Sequence, residues 1–263
     1  MFGQKTLVLG MPKSGTSVLT YRIAQGEPSA RICFEPGGAQ GQNSISEHKR
    51  IARKLGRVVA KTVVQPRRPH ELESIVGLYD RVVWIVRDPR DQLISAFFYR
   101  WFKNHHPSAE AFARALQRTQ RKEAKPEAMP FHRLEGRADA TSWAKNSYEP
   151  LLGLLQRLRA SIQLFHYEDL IREDFQALEE YLGVRVNAAA QVDASLARVA
   201  RSRRFDNWRD WFTTADEAFY RPVLQPILEQ LGYCGDDWTL NQNVVLNPEE
   251  GSEYMKRLFE GAS

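Results

Sequence analysis

One short stretch of the chain, TLVLGMPKSGTSVLTYRI from Thr6 to Ile23, constrains the fold more than any other. An apolar run, Leu7 to Leu9, leads into a turn of Gly, Pro and Ser residues, and a segment with helical spacing follows. This order predicts a buried strand, a tight turn and a helix. The first N–H groups of such a helix have no partner within it, and the helix dipole favours negative charge there. The stretch therefore predicts an anion-binding loop.

The lysine of this loop does not occupy the usual position. In the Walker pattern, G-x-x-x-x-G-K-[ST], the lysine follows the second glycine. Here Thr16 follows Gly15, and the lysine is Lys13, inside the loop. Lys13 would supply a point charge beside the anion, and Thr16 and Ser17 would add hydroxyl donors. A generic glycine-containing turn between a strand and a helix is the alternative.

The composition limits the kind of protein. At 263 residues and 30.3 kDa, with 43% hydrophobic and 26% charged residues, the chain can bury a sizeable core. The net charge of +5 and the pI near 9.2 suit an anionic ligand but are too mild to indicate a nucleic acid. Cys33 and Cys234 lack the spacing of a disulfide framework. The sequence shows no apolar run of about 18 residues and no signal-peptide pattern, so we expect a cytoplasmic protein without a transmembrane segment.

The order of apolar and amphipathic segments predicts an α/β fold. Apolar runs predict strands over residues 4–10, 30–36, 56–64, 81–88 and 161–170. Helical spacing predicts helices over residues 15–25, 45–55, 69–79, 89–103, 108–122, 140–159, 171–182, 190–201 and 214–231. Strands that alternate with helices indicate a P-loop-like, mostly parallel sheet of about four to five strands with helices on both faces. We expect a single domain over residues 1–263, because no linker separates two cores.

Several segments have the composition of loops, lids or tails. Residues 37–44 are rich in Gly and Gln and predict a flexible loop, and a mobile loop is predicted after residue 122. The surrounding segment 99–138 is basic and rich in His, and we expect it to be a lid that orders over an acceptor substrate. Residues 201–211 are predicted to be irregular, and 241–263 to be a partly ordered tail.

A second pattern places a cationic residue at the end of the fourth strand. In RVVWIVRDPRDQLISAFF, Arg87 ends the strand and Ser95 lies two turns into the next helix. Open α/β sheets bind ligands at the carboxyl ends of their strands, so Arg87 is predicted to face the same crevice as the first loop. An arginine fork and a serine hydroxyl suit a phosphate monoester. Taken alone, Arg87 would be better explained by a salt bridge to Asp88 or Asp91.

The two patterns together resemble the sulfotransferases that use 3′-phosphoadenosine 5′-phosphosulfate (PAPS). Their first motif reads P-K-[SA]-G-T-[TS] and their second reads R-[DN]-P-x-D-x-x-x-S. The second motif is matched here at Arg87, Asp88, Pro89, Asp91 and Ser95. The resemblance implies that the 5′-phosphosulfate is held by Lys13, Ser14, Gly15, Thr16 and Ser17. It also implies that Lys13 neutralises the bridging oxygen, that Arg87 and Ser95 bind the 3′-phosphate, and that adenosine 3′,5′-bisphosphate is the product.

A basic stretch late in the chain also resembles this family, so that the resemblance extends in patches over residues 5–232. RSRRFDNWRDWFT at 201–213 is similar to R-x-G-x-x-x-x-W-[RK]-x-x-F-T, which closes over the 3′-phosphate in the family. The resemblance implies a phosphate-binding role for Arg201 first, and then for Arg203 and Arg204. Arg203 stands where glycine is usual. A solvated basic turn is the alternative.

Two further positions bear on the resemblance. HYEDL is similar to a Y-E-D-L strand end of the family, where we expect Glu168 and Asp169 to cap a helix or order the fold. The family often has an adenine-stacking tryptophan just after the loop, but Val18 follows the loop here. Phe205 or Trp208 could take that role, although aromatic residues near a basic loop are as often part of a core.

The general base is predicted from a position at which this sequence departs from one branch of the family. Members that act on phenols and steroids carry a histidine after a K-T strand end, and AKTVVQP has Lys61 and Thr62 but Val63 in the histidine position. Carbohydrate sulfotransferases have an F-E-P run, with a glutamate as base in several of them, and CFEP resembles it at Glu35. The resemblance implies that Glu35 is the base and that Lys61 holds the leaving phosphate or orients Glu35.

The sequence also leaves a structural role open for Glu35. Its carboxylate could instead cap the next turn or pair with Lys61 or Arg31. In that case the remaining candidates for the base are His70, His48 and Asp91.

The sequence thus predicts in-line transfer of a sulfuryl group from PAPS to a hydroxyl of a sugar or another aliphatic alcohol. The similarity is closer to carbohydrate-type and bacterial sulfotransferases than to the phenol and steroid branch. We expect a small-molecule or glycan acceptor, no nucleic acid and no metal, because adjacent His105 and His106 cannot both ligate one ion from a helix. A homodimer stays open. The alternatives are a P-loop nucleotide kinase, which would need a lysine after Gly15, and a non-catalytic protein that keeps the PAPS fold.

Overall fold

The computed structural model of the chain describes residues 4–27, 29–36, 44–54, 56–64, 69–193 and 201–261. The strands in these ranges are β1 Lys5–Gly10, β2 Arg31–Phe34, β3 Val58–Val63, β4 Arg81–Val86 and β5 Gln163–His166. They form one sheet in the order β2-β3-β1-β4-β5, and every neighbouring pair is parallel. The predicted α/β fold with a mostly parallel sheet is confirmed.

The other regular elements of the described residues are helices. In chain order, the α-helices are α1 Thr16–Gly26, α2 Ile45–Lys54, α3 Pro69–Val76, α4 Pro89–Tyr99, α5 Ala109–Ala124, α6 Phe131–Glu135, α7 Ala140–Leu158, α8 Tyr167–Arg172, α9 Gln176–Leu182, α10 Trp208–Trp211, α11 Thr214–Gln230 and α12 Ser252–Glu260. Short 3-10 helices are formed by Lys103–His105, Pro126–Ala128, Arg159–Ser161 and Pro248–Glu250.

The chain divides into two compact units. The first comprises Met1–Arg87 and Lys145–Asp193, and the second comprises Asp88–Ala144 and Ala194–Ser263. The whole sheet belongs to the first unit. The single domain expected over residues 1–263 stays a prediction.

The core of the first unit is built on the central strand. Leu7, Val8 and Leu9 of β1 are fully buried, which requires cover on both faces of the sheet and explains why the strand is a continuous apolar run. Leu19 and Ile23, one turn apart on α1, pack into the same cluster as Val8. The helix that leaves the glycine loop is therefore fixed to the strand that enters it.

Parallel pairing brings all five strand ends to one edge of the sheet. The last residues of the strands follow the order Phe34, Val63, Gly10, Val86 and His166 along that edge. The residues that come directly after these positions are distant in sequence. The sheet collects them at the carboxyl edge, where open α/β sheets bind ligands.

The second unit is organised around a buried carboxylate. Asp216 in the first turn of α11 is fully buried and forms a capping box with Thr213. The same carboxylate accepts hydrogen bonds from the N–H of Phe131 at 2.7 Å and from the N–H and Nδ1 of His132, both at 2.8 Å. Residues of the predicted lid, 99–138, are thus bonded to α11 in this structure.

Several predicted elements differ from the structure. The strand predicted over 161–170 is confined to β5, and α8 begins at Tyr167, because Glu168 and Asp169 lie in a first helical turn, where acidic side chains are favourable. The helix predicted over 171–182 is interrupted at Glu173, whose φ of 60° ends α8. The helix predicted over 89–103 ends at Tyr99, before the 3-10 turn.

Further differences concern loops and the tail. The mobile loop predicted after residue 122 contains a 3-10 turn and α6, and the tail predicted over 241–263 contains α12. Of the helix predicted over 190–201, residues 190–193 are not helical and 194–200 lie outside the described residues. Almost all of the predicted loop 37–44 lies outside them as well.

Candidate active site

Two glycines shape the loop between β1 and α1. A Cβ on Gly10 would lie 2.5 Å from Ser14 Oγ and 2.7 Å from the carbonyl oxygen of Ile85, so no side chain fits there. Gly15 has a φ of +92°, and a Cβ on it would lie 2.7 Å from the ring of Tyr167. Glycine at these positions allows the backbone to turn tightly and to approach a ligand closely.

The loop presents the positive end of α1. Gly15 is the N-cap residue and has no side chain to satisfy the N–H groups of the first turn, which contains no acidic residue. Thr16 and Ser17 begin the helix at this position. Ser14 donates its N–H and its hydroxyl to the carbonyl of Met11, at 3.3 Å and 2.8 Å, and so stabilises the turn from within. A glycine-lined helix N-terminus of this kind is suited to an anionic group.

Arg87 and the loop lie together in the first unit. Arg87 follows β4 directly, is 7% exposed, and donates from Nη1 to the carbonyl oxygen of Lys13 at 3.2 Å. Its guanidinium lies 4.2 Å from the ring centroid of Tyr167, a cation–π contact. Lys13 itself has a φ of 69°. The structure thus brings the two cationic residues of the predicted motifs to one place.

Glu35 and Lys61 form an ion pair at the same edge of the sheet. Lys61 Nζ lies 2.8 Å from Glu35 Oε1, and the side chains are 10% and 22% exposed, respectively. The Glu35 N–H also donates to the carbonyl oxygen of Lys61 at 2.8 Å. Glu35 has a φ of 44°, which takes it out of the strand. The pairing with Lys61 is therefore present, and it is the contact expected both for a structural role of Glu35 and for a carboxylate that Lys61 orients.

Two of the alternative candidates for the base are buried and hydrogen-bonded to neighbouring residues. His48 is fully buried, with Nδ1 2.7 Å from the hydroxyl of Tyr79, and burial lowers the pKa of His48 to about 4. Asp91 is fully buried and accepts a hydrogen bond from the N–H of Trp208 at 3.0 Å. The side chain of His70 lies outside the described residues. His48 and Asp91 thus stabilise the packing of their own units.

The second motif continues into α4, in the second unit. Asp88 is the N-cap of this helix and accepts a hydrogen bond from the N–H of Arg90 at 2.8 Å, while Pro89 stands in the first turn. Asp88 also forms a salt bridge with the side chain of Arg90, at 2.6 Å. Ser95 lies two turns into α4 and is 4% exposed.

Arg201 is packed against the same helix. Its guanidinium lies 5.2 Å from the ring centroid of Phe98, which is one turn beyond Ser95 on α4. Its Nη1 donates to the carbonyl oxygen of Glu250 at 3.0 Å. The structure of the second unit therefore places Arg201 and Ser95, both predicted to bind the 3′-phosphate, along one helix.

Arg203 and Arg204 have different surroundings. Arg203 is exposed and has a φ of 50°, the left-handed region that glycine favours, which accounts for the glycine of the family motif at this position. Arg204 bonds to the carboxylate of Glu250 through Nε and Nη2, at 3.2 Å and 2.9 Å, and to Asp210 through Nη1 at 3.0 Å. Arg204 is therefore fixed between two carboxylates.

Two contact residues were not found from the sequence, and one aromatic candidate is a core residue. Tyr167 contacts both Gly15 and Arg87, and its position directly after a strand was the signal that could have indicated it. No motif or spacing in the sequence indicated a role for Glu250. Trp208, considered for adenine stacking, is fully buried with the guanidinium of Arg90 3.8 Å from its ring centroid.

The described part of the chain contains neither a metal cluster nor a membrane span. Among the described residues, no group of three or more His, Cys, Asp or Glu side chains is arranged so that it could hold a metal ion. None of the helices in the described ranges has an apolar stretch of the length that crosses a bilayer.

Comparison with protein families decides the relationship. The model of the sulfotransferase domain matches residues 4–218, which is most of the chain. The chain belongs to the sulfotransferase family. A comparison with curated proteins found no match. The enzyme class and the donor predicted from the sequence, a sulfotransferase that uses PAPS, are thereby confirmed.

Solved sulfotransferase structures are similar to this chain. The mouse sulfotransferase SULT7A1, complexed with PAP, shares its fold, with 14% identity and a TM-score of 0.54, and the alignment covers 87% of this chain and 85% of that one. A sulfotransferase from Alicyclobacillus acidocaldarius has 16% identity and a TM-score of 0.48, over 87% of this chain and 95% of that one. The sulfotransferase domain from the curacin biosynthetic pathway has 17% identity and a TM-score of 0.40, over 89% and 98%.

Proposed function

We propose that this sulfotransferase moves the sulfuryl group of PAPS to a hydroxyl of a sugar or another aliphatic alcohol, with Glu35 as general base. The observation that carries the proposal is the Lys61–Glu35 ion pair, which lies on the carboxyl edge of the sheet that also carries the glycine loop. PAPS supplies the sulfuryl group, and adenosine 3′,5′-bisphosphate is the product.

Glu35 has the chemistry and the position of a proton acceptor. Its Oε1 accepts a hydrogen bond from Lys61, and we assign its other oxygen, Oε2, to the acceptor hydroxyl. When the acceptor oxygen bonds to sulfur, its proton passes to Glu35 as the bond from sulfur to the bridging oxygen breaks. Lys61 orients the carboxylate for this transfer. A general base in this role contributes about 10²–10⁴-fold.

The cationic residues stabilise the charge of the leaving group. Lys13 neutralises the bridging oxygen, while the N–H groups of Thr16 and Ser17 at the start of α1 bind the 5′-phosphate. Arg87 positions Lys13 through its hydrogen bond to the Lys13 carbonyl. By the resemblance of the second motif, we assign Arg87 and Ser95 to the 3′-phosphate. By the resemblance of the basic stretch, we assign Arg201 to it first, and then Arg203 and Arg204.

An exposed aromatic ring supports an acceptor with an apolar face. Phe34 directly precedes Glu35 and is 38% exposed, which is unusual for a large apolar side chain in the described part of this protein. Its ring centroid lies 5.4 Å from that of Tyr21 and 5.4 Å from Lys61 Nζ. The C–H face of a sugar or an aliphatic alcohol could lie on this ring while its hydroxyl reaches Glu35. The acceptor identity, a homodimer and a cytoplasmic location stay predictions.

The first experiment tests the donor. We expect adenosine 3′,5′-bisphosphate to raise the melting temperature, since a ligand at 100 times its Kd adds about 2.7 kcal/mol to the free energy of unfolding. The shift should disappear in Lys13→Ala and in Arg87→Ala, and ADP with magnesium should give none. A shift with ADP and magnesium alone would favour the kinase alternative.

The second experiment tests the base. In a sulfuryl-transfer assay over a panel of sugars and alcohols, Glu35→Gln should lower kcat by about 10²–10⁴-fold with little change in bisphosphate affinity. Glu27→Gln is the matched control, because Glu27 is also a largely buried carboxylate, paired with Arg57 at 3.0 Å near the opposite end of β3. Equal activity of Glu35→Gln and wild type would refute the assignment. Bisphosphate binding without transfer to any acceptor would favour the non-catalytic alternative.

A further inference from the structure

We propose that Glu250, in the 3-10 turn Pro248–Glu250, is a positioning residue for the arginine that binds the 3′-phosphate. The inference rests on the role of Arg201 in the proposed function. It adds to the donor-binding machinery a segment that lies beyond residue 218, where the match to the sulfotransferase domain ends.

The contacts of Glu250 link two arginines of the basic stretch. Its carbonyl oxygen accepts a hydrogen bond from Arg201 Nη1 at 3.0 Å, and its Oε2 lies 3.9 Å from the same nitrogen. The same Oε2 accepts from Arg204 Nε and Nη2, at 3.2 Å and 2.9 Å. Arg204 is bonded in turn to Asp210. Backbone and side chain of one residue thus hold both ends of the segment 201–204.

The turn that carries Glu250 is itself firmly attached. Glu249, its neighbour, pairs with Arg257 of α12, and Arg257 Nη2 also donates to the Glu249 carbonyl at 3.0 Å. Ser252, at the start of α12, donates its N–H and its hydroxyl to the carboxylate of Glu123, both at 2.6 Å. Because the backbone of this turn is held in place, the side chain of Glu250 can fix the orientation of the residues that it contacts.

A fixed Arg201 favours phosphate binding for two reasons. Its side chain is only 4% exposed and is held over Phe98 on the helix of Ser95, so little rotamer entropy is lost when a phosphate binds. The Glu250 carboxylate also lies between two guanidinium groups and offsets their mutual repulsion. The negative charge of Glu250 opposes the phosphate, and we infer that the positioning effect is the larger one.

The test compares two nucleotides that differ only in the 3′-phosphate. We would measure Kd by calorimetry for adenosine 3′,5′-bisphosphate and for adenosine 5′-monophosphate. Glu250→Ala keeps the main-chain hydrogen bond to Arg201 and removes only the carboxylate. It should therefore weaken binding of the bisphosphate by about three- to tenfold, in the lower part of the range of couplings between residues in contact, and leave the monophosphate within about twofold of wild type. Glu253→Ala, which removes a partly exposed carboxylate of α12 paired with Lys256, should change neither. In an Arg201→Ala background the Glu250→Ala effect should vanish.

The outcomes separate this inference from the proposed function. If Glu250→Ala weakens both nucleotides equally, its role is general stability, and if bisphosphate binding is unchanged or tighter, positioning is refuted. Glu250→Gln repeats the comparison with the shape of the side chain kept, should the alanine variant not fold. If wild type does not prefer the bisphosphate, or if Arg201→Ala leaves that preference intact, the phosphate-binding role of Arg201 in the proposed function is refuted, whatever the effect of Glu250→Ala.

Discussion

Replacement of Gly15 by alanine tests the geometry of the glycine loop. The backbone of Gly15 has a φ of +92°, and a left-handed conformation costs an L-residue roughly 1–2 kcal/mol. The added Cβ would also lie 2.7 Å from Tyr167 Cδ2 and 3.1 Å from Leu170 Cδ2, and overpacking of this kind costs about 1–3 kcal/mol. We therefore expect Gly15→Ala to lower the free energy of unfolding by about 2–5 kcal/mol and to abolish detectable bisphosphate binding.

The two contributions can be separated. Tyr167→Ala removes the ring, which is the nearer of the two contacts of the new Cβ. Relative to Tyr167→Ala alone, the double variant should therefore lose the backbone contribution, about 1–2 kcal/mol, and only the part of the overpacking that comes from Leu170 Cδ2 at 3.1 Å. A double-mutant cycle in urea denaturation, followed by circular dichroism, measures the difference as a coupling of about 1–3 kcal/mol. This coupling is the magnitude that the contact with Tyr167 predicts.

A second glycine provides the matched control. Gly153 lies inside α7, without a positive φ, and the nearest atom to its Cβ position would be Arg157 Nη1 at 3.6 Å. Gly153→Ala should therefore stabilise the protein by about 0.5–1 kcal/mol through helix propensity. The reasoning is refuted if Gly15→Ala behaves like Gly153→Ala, or if the effects of Gly15→Ala and Tyr167→Ala simply add.

Three further predictions concern buried charge and the bound phosphate. Burial lowers the pKa of His48 from its ordinary 6.5 to about 4. Its neutral form therefore stabilises the fold above pH 6.5, and this stability is lost as the pH falls towards 4. A plot of the free energy of unfolding against pH over this range should be less steep for His48→Gln than for wild type. Asp216→Ala leaves the backbone N–H groups of Phe131 and His132 without their carboxylate, and should lower the free energy of unfolding by about 2–6 kcal/mol in urea denaturation. Arg87→Lys keeps the charge but loses the planar fork, and calorimetry should show bisphosphate affinity reduced about tenfold or more.

The sequence predicted well what is local. The β1 strand, the glycine turn and α1 follow one another without interruption, and each has its own signal: a continuous apolar run, small residues, then helical spacing. The start of α4 is equally local, because Asp88 caps the helix and Pro89 stands in its first turn. In motifs of this kind, the residues that determine the local structure lie within a few positions of one another in the sequence.

Contacts between distant segments could not be predicted in the same way. Arg204 and Glu250 are 46 positions apart, and either charge alone reads as part of a solvated surface. Asp216 would pass for an ordinary helix-capping residue, although the structure shows that it also bonds α6, 84 positions away. The apolar and aromatic residues around HYEDL predict a strand, whereas its acidic pair favours the helix start that the structure shows.

The register of the sheet explains how a glutamate directly after β2 could replace a histidine at the end of β3. Phe34 lies opposite Lys61, so Glu35 follows at the level of Thr62, one residue before Val63. Adjacent strands are only about 4.8 Å apart, and a carboxylate side chain spans that distance. A base at the end of β2 can therefore serve the same space as a base after the K-T pair of β3, with Lys61 retained between them to direct it. Since the proposed base would then lie on the neighbouring strand, Val63→His in a Glu35→Gln background should restore part of the lost kcat, with a pH profile that follows an imidazole.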